Sequence, residues 1–166
     1  MVAVAQTPTE QAVWDVLNTV LDPELPAVSI VELGIVRGVT LRDGEVFVTI
    51  TPTYSGCPAM EAIQSDIRSA LKSAHFSPQV LTVLSPAWTS DWIAPSARTK
   101  LRSIGIAPPA HLASKIGVRV SPTLGIECPL CASESIEKLS EFGSTACKAL
   151  YRCLACREPF DYFKPI

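Results

Sequence analysis

The chain has 166 residues, of which 48% are hydrophobic, and a formal net charge of −2. This length and apolar content allow one medium-sized domain with a small one beside it, and they exclude a disordered chain. The charge offers no attraction for nucleic acid, and no stretch has the apolar length of a membrane span, so neither kind of partner is expected.

The first predicted element is a helix that begins near Thr7. Thr7 can cap the helix, Glu10 lies three residues later to close a capping box, and Pro8 suits the first helical position. We expect the helix to end at residues 22–23, since the residue before a proline avoids helical backbone. An apolar stripe at helical spacing supports the assignment: Val13, Val16, Leu17 and Val20.

A β-hairpin is predicted next, with strands at residues 35–41 and 45–51 that are rich in β-branched residues. The Asp-Gly pair at residues 43–44 is typical of a tight hairpin turn. A second helix over residues 58–73 and a strand over residues 79–84 follow. The order α-β-β-α-β predicts an α+β domain in which two helices cover one face of the sheet.

Two segments of this domain are candidates for chemistry. Cys57 follows Gly56 at the predicted start of the second helix, where free backbone N–H groups and the helix dipole should lower the pKa of the thiol. The alternative is an inert, buried cysteine. Residues 22–26 (DPELP) place two carboxylates in a proline-bracketed loop, which suits either a metal ligand or a plain helix stop.

Three motifs together resemble the iron–sulfur cluster assembly domain family. They are residues 22–26 (DPELP), 33–37 (LGIVR) and 51–58 (TPTYSGCP), and the resemblance covers roughly residues 9–85. In that family the last motif holds the one cysteine that is associated with handling of iron or a cluster. The resemblance therefore implies such a site here, made of Cys57, Thr53, Asp22 and Glu24.

Four cysteines near the C-terminus form two C-x2-C pairs. Facing pairs of this kind make a closed, tetrahedral four-thiolate site, the usual structural zinc arrangement. An iron–sulfur cluster at the same sulfurs is the alternative, because four thiolates also suit iron. Residues 1–10 show no signal peptide, so a reducing cytoplasmic location is expected and disulfides are not. The predicted ligands are Cys128, Cys131, Cys153 and Cys156.

The chain between the two cysteine pairs is strand-like at residues 135–140 and 149–151, which predicts a zinc ribbon. A module this small depends on its metal for folding. Cys147 lies outside the pairs and is interpreted as a buried thiol. We predict three parts in the chain: an assembly-like domain at 1–85, an extension and linker at 86–126, and the ribbon at 127–166.

Further motifs extend the resemblance over nearly the whole chain. Residues 86–93, 105–109, 142–148 and 160–164 resemble the PaaD family, a component of bacterial 1,2-phenylacetyl-CoA epoxidase systems, which act in aerobic phenylacetate degradation. The resemblance implies an accessory protein that matures or delivers a metal centre to the oxygenase and reductase subunits. A structural subunit that docks on the oxygenase is the alternative. The implied cofactors are structural zinc and a transient iron ion or iron–sulfur cluster.

The residues themselves argue against an enzyme. A diiron oxygenase needs Glu-x-x-His pairs on facing helices, and His75 and His111 lack that spacing. No dinucleotide-binding glycine motif and no plant-type ferredoxin spacing is present. A thiol enzyme with Cys57 as nucleophile is a third hypothesis, weakened because no histidine lies near it in sequence. The oligomeric state stays open, a homodimer included.

Overall fold

A computed structural model describes residues 9–109 and 125–166. The chain divides into two compact units, Met1–Pro86 and Ala87–Ile166. Among the described residues, no helix combines the length and the apolar character needed to cross a membrane.

The N-terminal unit is an α+β domain, which confirms the predicted fold class. Its three-stranded sheet has the order β3-β4-β5, with β3 antiparallel and β5 parallel to the central β4. Helix α1 contacts β3 and α2, and α2 contacts β5, so both helices lie on one face. The elements are α1 (Glu10–Leu17), β1 (Leu21–Asp22), β2 (Leu25–Ser29), β3 (Val36–Arg42), β4 (Glu45–Ile50), α2 (Ala59–Ser73) and β5 (Ser77–Thr82).

The first helix differs from its prediction at both ends. Its cap is Thr9, whose side-chain oxygen accepts a hydrogen bond from the Ala12 N–H at 3.2 Å. Glu10 is therefore the first helical residue and does not close a capping box; Thr7 lies outside the described residues. The helix ends at Leu17 rather than at residues 22–23. After it, the N–H groups of Thr19 and Val20 donate to carbonyls three residues back instead of four, and the chain then enters the small hairpin of β1 and β2.

The predicted hairpin is present as β3 and β4. Asp43 and Gly44 connect the strands with positive φ values of 51° and 83°, as a two-residue turn of this kind requires. Alternation along β4 points one set of side chains into the core beneath the helices, and this set is Val46, Val48 and Ile50.

The C-terminal unit contains a four-stranded sheet with the order β6-β9-β8-β7. The pair β6–β9 is parallel, and the other two pairs are antiparallel. Strands β7 and β8 correspond to the two predicted ribbon strands, while β6 and β9 were not predicted. The elements are a 3-10 helix (Ser90–Trp92), α3 (Pro95–Ser103), β6 (Ile106–Ala107), β7 (Ile136–Ser140), β8 (Lys148–Cys153) and β9 (Pro159–Phe163).

One face of this sheet carries an aromatic core. The Tyr151 ring lies 6.0 Å from that of Phe160 and 5.6 Å from that of Tyr162. Cys128 and Cys153 belong to the same buried cluster, so the predicted metal site is continuous with the core of its unit. The predicted division at residues 85 and 126 stays a prediction, although β6, from within the predicted linker, pairs with β9.

Candidate metal centre and Cys57 site

The four predicted cysteine ligands come together at one point. All their sulfurs lie within 4.8 Å of one another, with Cys128 Sγ 3.8 Å from Cys156 Sγ and Cys131 Sγ 3.5 Å from Cys153 Sγ. A tetrahedral zinc site with Zn–S bonds of about 2.3 Å has sulfur–sulfur edges of about 3.8 Å. The donor set therefore fits a single zinc ion with four thiolate ligands.

Both C-x2-C turns, called the knuckles from here on, use the same backbone device. In each, the N–H of the first cysteine donates to the carbonyl five residues later, and the residue after the second cysteine has positive φ. This closure turns the chain back so that both sulfurs face inward. The bonds join Cys128 to Ser133 (2.9 Å) and Cys153 to Glu158 (3.0 Å), and the positive φ values are 59° at Ala132 and 67° at Arg157.

Backbone N–H groups favour the thiolate of Cys153 in the second knuckle, while the pKa values of the Cys131 and Cys156 thiols are raised, since each hydrogen-bonds neighbouring cysteine sulfurs. The pKa of the Cys153 thiol is lowered to about 6, first by the N–H of Cys156 and also by that of Ala155, against the opposing effect of burial. The Cys156 nitrogen lies 3.5 Å from the Cys153 sulfur. Metal binds the thiolate, so the free energy needed to remove the thiol proton reduces the metal affinity. For a thiol that ionises below neutral pH this cost is small.

We expect protein purified without oxygen to contain one zinc ion per chain. X-ray absorption at the zinc edge should show four sulfur neighbours at about 2.3 Å and no oxygen neighbour, because the four thiolates close the site. Iron together with acid-labile sulfide, in place of zinc, would contradict this expectation and favour a cluster at the same cysteines.

The N-terminal unit brings its four predicted site residues close together. The Thr53 side chain hydrogen-bonds the Cys57 sulfur, and the carboxylates of Glu24 and Asp22 lie near enough to act on its charge. Asp22 is 6% exposed, and its Oδ1 accepts a hydrogen bond from the Glu24 N–H at 2.8 Å. The end of β1 and the loop that follows it therefore hold the two carboxylates beside the half-buried thiol that precedes α2.

The expected lowering of the Cys57 pKa is wrong. Burial raises the pKa most, and the negative charges of Glu24 and Asp22 raise it further. The hydrogen bonds from the Ala59 N–H and from Thr53 lower it, but by less in sum. Cys57 therefore rests as a neutral thiol, because desolvation and carboxylates outweigh the helix N-terminus.

We predict that alkylation of Cys57, followed against pH by mass spectrometry, gives an apparent pKa above the free-thiol value of about 8.5. Glu24→Gln should lower that value, because it removes a negative charge near the sulfur. Glu61→Gln, an equal charge change in the first turn of α2, is the control and should leave it unchanged. An apparent pKa at or below 8.5 in the wild type would contradict the prediction.

The Cys57 site offers fewer ligand atoms to a single metal ion than the four-cysteine site does. Within residues 9–109 and 125–166, only the four cysteines bring three or more potential metal ligands within reach of one ion. Thr51, the first residue of the motif at 51–58, is buried, and its hydroxyl has no hydrogen-bond partner among the described residues.

The fold and the two sites define a class of protein in which an iron–sulfur assembly domain precedes a zinc β-ribbon. The family model described as iron–sulfur cluster assembly protein matches residues 10–82, and the PaaD zinc beta ribbon domain matches residues 115–164. The chain belongs to the PaaD family. It is 49% identical over 160 residues to a relative from Escherichia coli (strain K12) that is named as a 1,2-phenylacetyl-CoA epoxidase component, covering 96% of this chain and 94% of the relative.

Shorter relatives match only part of the chain. An Fe-S protein maturation auxiliary factor of Porphyromonas gingivalis (strain ATCC BAA-308 / W83) is 35% identical over 96 residues, covering 56% of this chain and 90% of the relative. The crystal structure of a domain of unknown function, DUF59, from Bacillus anthracis is 32% identical with a TM-score of 0.52, covering 55% of this chain and 90% of that one. The assembly domain therefore also occurs in proteins little longer than itself.

Proposed function

We propose that this protein is an accessory maturation factor of a phenylacetyl-CoA epoxidase system, which assists the assembly or delivery of an iron or iron–sulfur centre through Cys57. The observation that carries the proposal is the grouping of a thiol, a hydroxyl and two carboxylates on an assembly domain. The names of the relatives add support, since one is an epoxidase component and another is a maturation factor.

The chemistry of the Cys57 site suits a cargo, either an iron ion or an iron–sulfur cluster, that is bound only transiently and then released. A thiolate binds iron and clusters well, and carboxylates accept ferrous iron, so the donor types are appropriate. The site has too few close ligands to retain an ion firmly, which favours transfer to a complete site elsewhere. A cation beside Glu24 and Asp22 would offset their charge and favour ionisation of the thiol, so that the ligand forms when the cargo arrives.

The zinc ribbon has a different role in this proposal. Four thiolates fill the coordination shell of zinc, which leaves no open position for substrate or water. The ribbon zinc therefore holds the C-terminal unit together, and the cargo binds at the other unit. The recipients are the oxygenase and reductase subunits of the epoxidase system.

The proposal is tested by deleting the gene and purifying the oxygenase and reductase subunits from the deletion strain. We expect substoichiometric iron, or iron and acid-labile sulfide, in at least one of them, with normal amounts after complementation by the wild-type gene. Full metal loading in the deletion strain would overturn the maturation role and leave a non-catalytic structural protein that docks on the oxygenase.

A further inference from the structure

Each knuckle presents a large apolar side chain to solvent. Leu130, between the ligands of the first knuckle, is 58% exposed, and Leu154, between those of the second, is 50% exposed. They are the sequence neighbours of Cys131 and Cys153, whose sulfurs lie 3.5 Å apart. The metal end of the ribbon therefore carries two exposed leucines, and neither belongs to the core cluster of the sheet.

Both leucines are attached to fixed backbone. The Leu154 N–H donates to the Ser135 carbonyl at 2.8 Å, and the turn that holds Leu130 is closed by the Ala132 N–H on the Cys128 carbonyl at 2.9 Å. A metal ion held by the four cysteines would fix both turns further. Side chains on such turns lose little conformational entropy when a partner covers them, which is the property of an interface anchor.

Two arginines lie beside Leu154, and the charge of one of them is offset by a glutamate. A cavity of about 290 Å³ beside it is lined by Arg152, Cys153, Leu154 and Arg157, with no carboxylate among these residues. Arg152 is paired with Glu137 through a hydrogen bond of 2.6 Å. Among the described residues, Arg157 makes no hydrogen bond or ion pair, so its guanidinium is available to an outside group.

We propose that this knuckle surface, formed by Leu130, Leu154, Arg152 and Arg157, docks a protein segment that combines apolar side chains with a carboxylate. The occupant is a subunit of the epoxidase complex, so this step rests on the proposed function. Apolar anchors beside a guanidinium match an acidic, partly apolar protein surface through charge and burial together. A nucleic acid would use the arginines but would leave both leucines uncovered.

The alternative to docking is a structural role for the arginines at the zinc site, and the experiment must distinguish the two roles. Four thiolates around one Zn²⁺ carry a formal charge of −2, and nearby guanidinium groups offset it. If Arg157 served only this purpose, Arg157→Glu would weaken zinc retention against a chelator and leave partner binding unchanged. In a docking role the same variant keeps its zinc and binds the partner more weakly.

The test measures binding of the full-length zinc-loaded protein to each purified epoxidase subunit by titration at two salt concentrations. We expect the double variant Leu130→Ser/Leu154→Ser and the single variant Arg157→Glu each to weaken binding to one of these subunits by about tenfold or more, with one zinc per chain retained. Added salt should weaken the wild-type complex and have less effect on the Arg157→Glu complex. Leu84→Ser, at a 63% exposed leucine of the N-terminal unit, is the matched control.

The inference is overturned if no subunit binds the wild type, or if the zinc-loaded variants bind as tightly as the wild type. It is also overturned if the surface binds an oligonucleotide in preference to every subunit. These failures are distinct from failure of the maturation role, because the metal content of the subunits from the deletion strain is measured separately.

Discussion

Cys153→Ser is expected to release the ribbon metal and unfold the C-terminal unit while the N-terminal unit keeps its structure. Structural zinc contributes about 10–16 kcal/mol of apparent binding free energy in small zinc modules, which is comparable to the whole stability of a typical domain. Cys153 is also buried in the aromatic core and lies at the end of β8. Loss of the metal is therefore expected to disrupt the packing of that core as well. The N-terminal unit has its own core of helices and sheet.

Three measurements on the same sample check this result. Zinc content should fall from one per chain towards zero, and the tryptophan emission should shift towards that of a solvated indole, because Trp88, which is 3% exposed and lies 6.0 Å from the Phe163 ring, becomes exposed. Backbone amide signals of the N-terminal unit should stay in place. Cys147→Ser is the matched control, because Cys147 is buried in the same unit but is not a ligand, and it should retain zinc. A folded, zinc-loaded Cys153→Ser protein would contradict the prediction.

Cys57→Ser is expected to reproduce the loss of the whole protein without loss of its fold. The change replaces a soft sulfur by an oxygen, which abolishes a good ligand for iron or a cluster. It costs little packing, because Cys57 is half-buried in the loop before α2. The measurement is the iron and sulfide content of oxygenase and reductase subunits purified from cells that carry each allele.

Subunits from the Cys57→Ser strain should show the same metal deficit as those from the deletion strain, with normal levels of folded, zinc-loaded accessory protein. Glu24→Gln should give an intermediate deficit, since it removes one carboxylate but keeps the thiol. Cys147→Ser should give full metal loading. Normal metal content in the Cys57→Ser strain would show that the thiol is not the carrier, even if the deletion strain has a deficit.

Local patterns were sufficient to predict most of the N-terminal sheet and the cysteine site. The hairpin of β3 and β4 depends on alternation and on the turn at Asp43 and Gly44, which are properties of adjacent residues. The metal centre depends on two C-x2-C spacings, each of which forms its own knuckle. The proximity of Asp22 to Cys57 was implied only by the family resemblance, because the two residues lie 35 positions apart in the chain.

Features that depend on distant partners were missed or wrong. Asp22 and Pro23 resemble a helix stop, but Asp22 ends β1, a strand that forms by pairing with β2. Strand β6 has two residues and exists because β9, more than fifty residues later, lies beside it. The Cys57 pKa has the opposite shift from the one expected, since burial and remote carboxylates act through tertiary structure while the helix terminus is a local feature.

The pairing of β6 with β9 also decides whether the ribbon can be excised or grafted as an independent folding unit. A fragment that starts at residue 127 would keep every metal ligand, yet it would leave one side of β9 without its neighbour strand and would uncover core contacts made by Ala107. Open strand edges recruit strands from other molecules, so such a fragment would tend to aggregate even when it is fully metallated. Grafting or exchange between homologues should therefore move residues 87–166 as one piece.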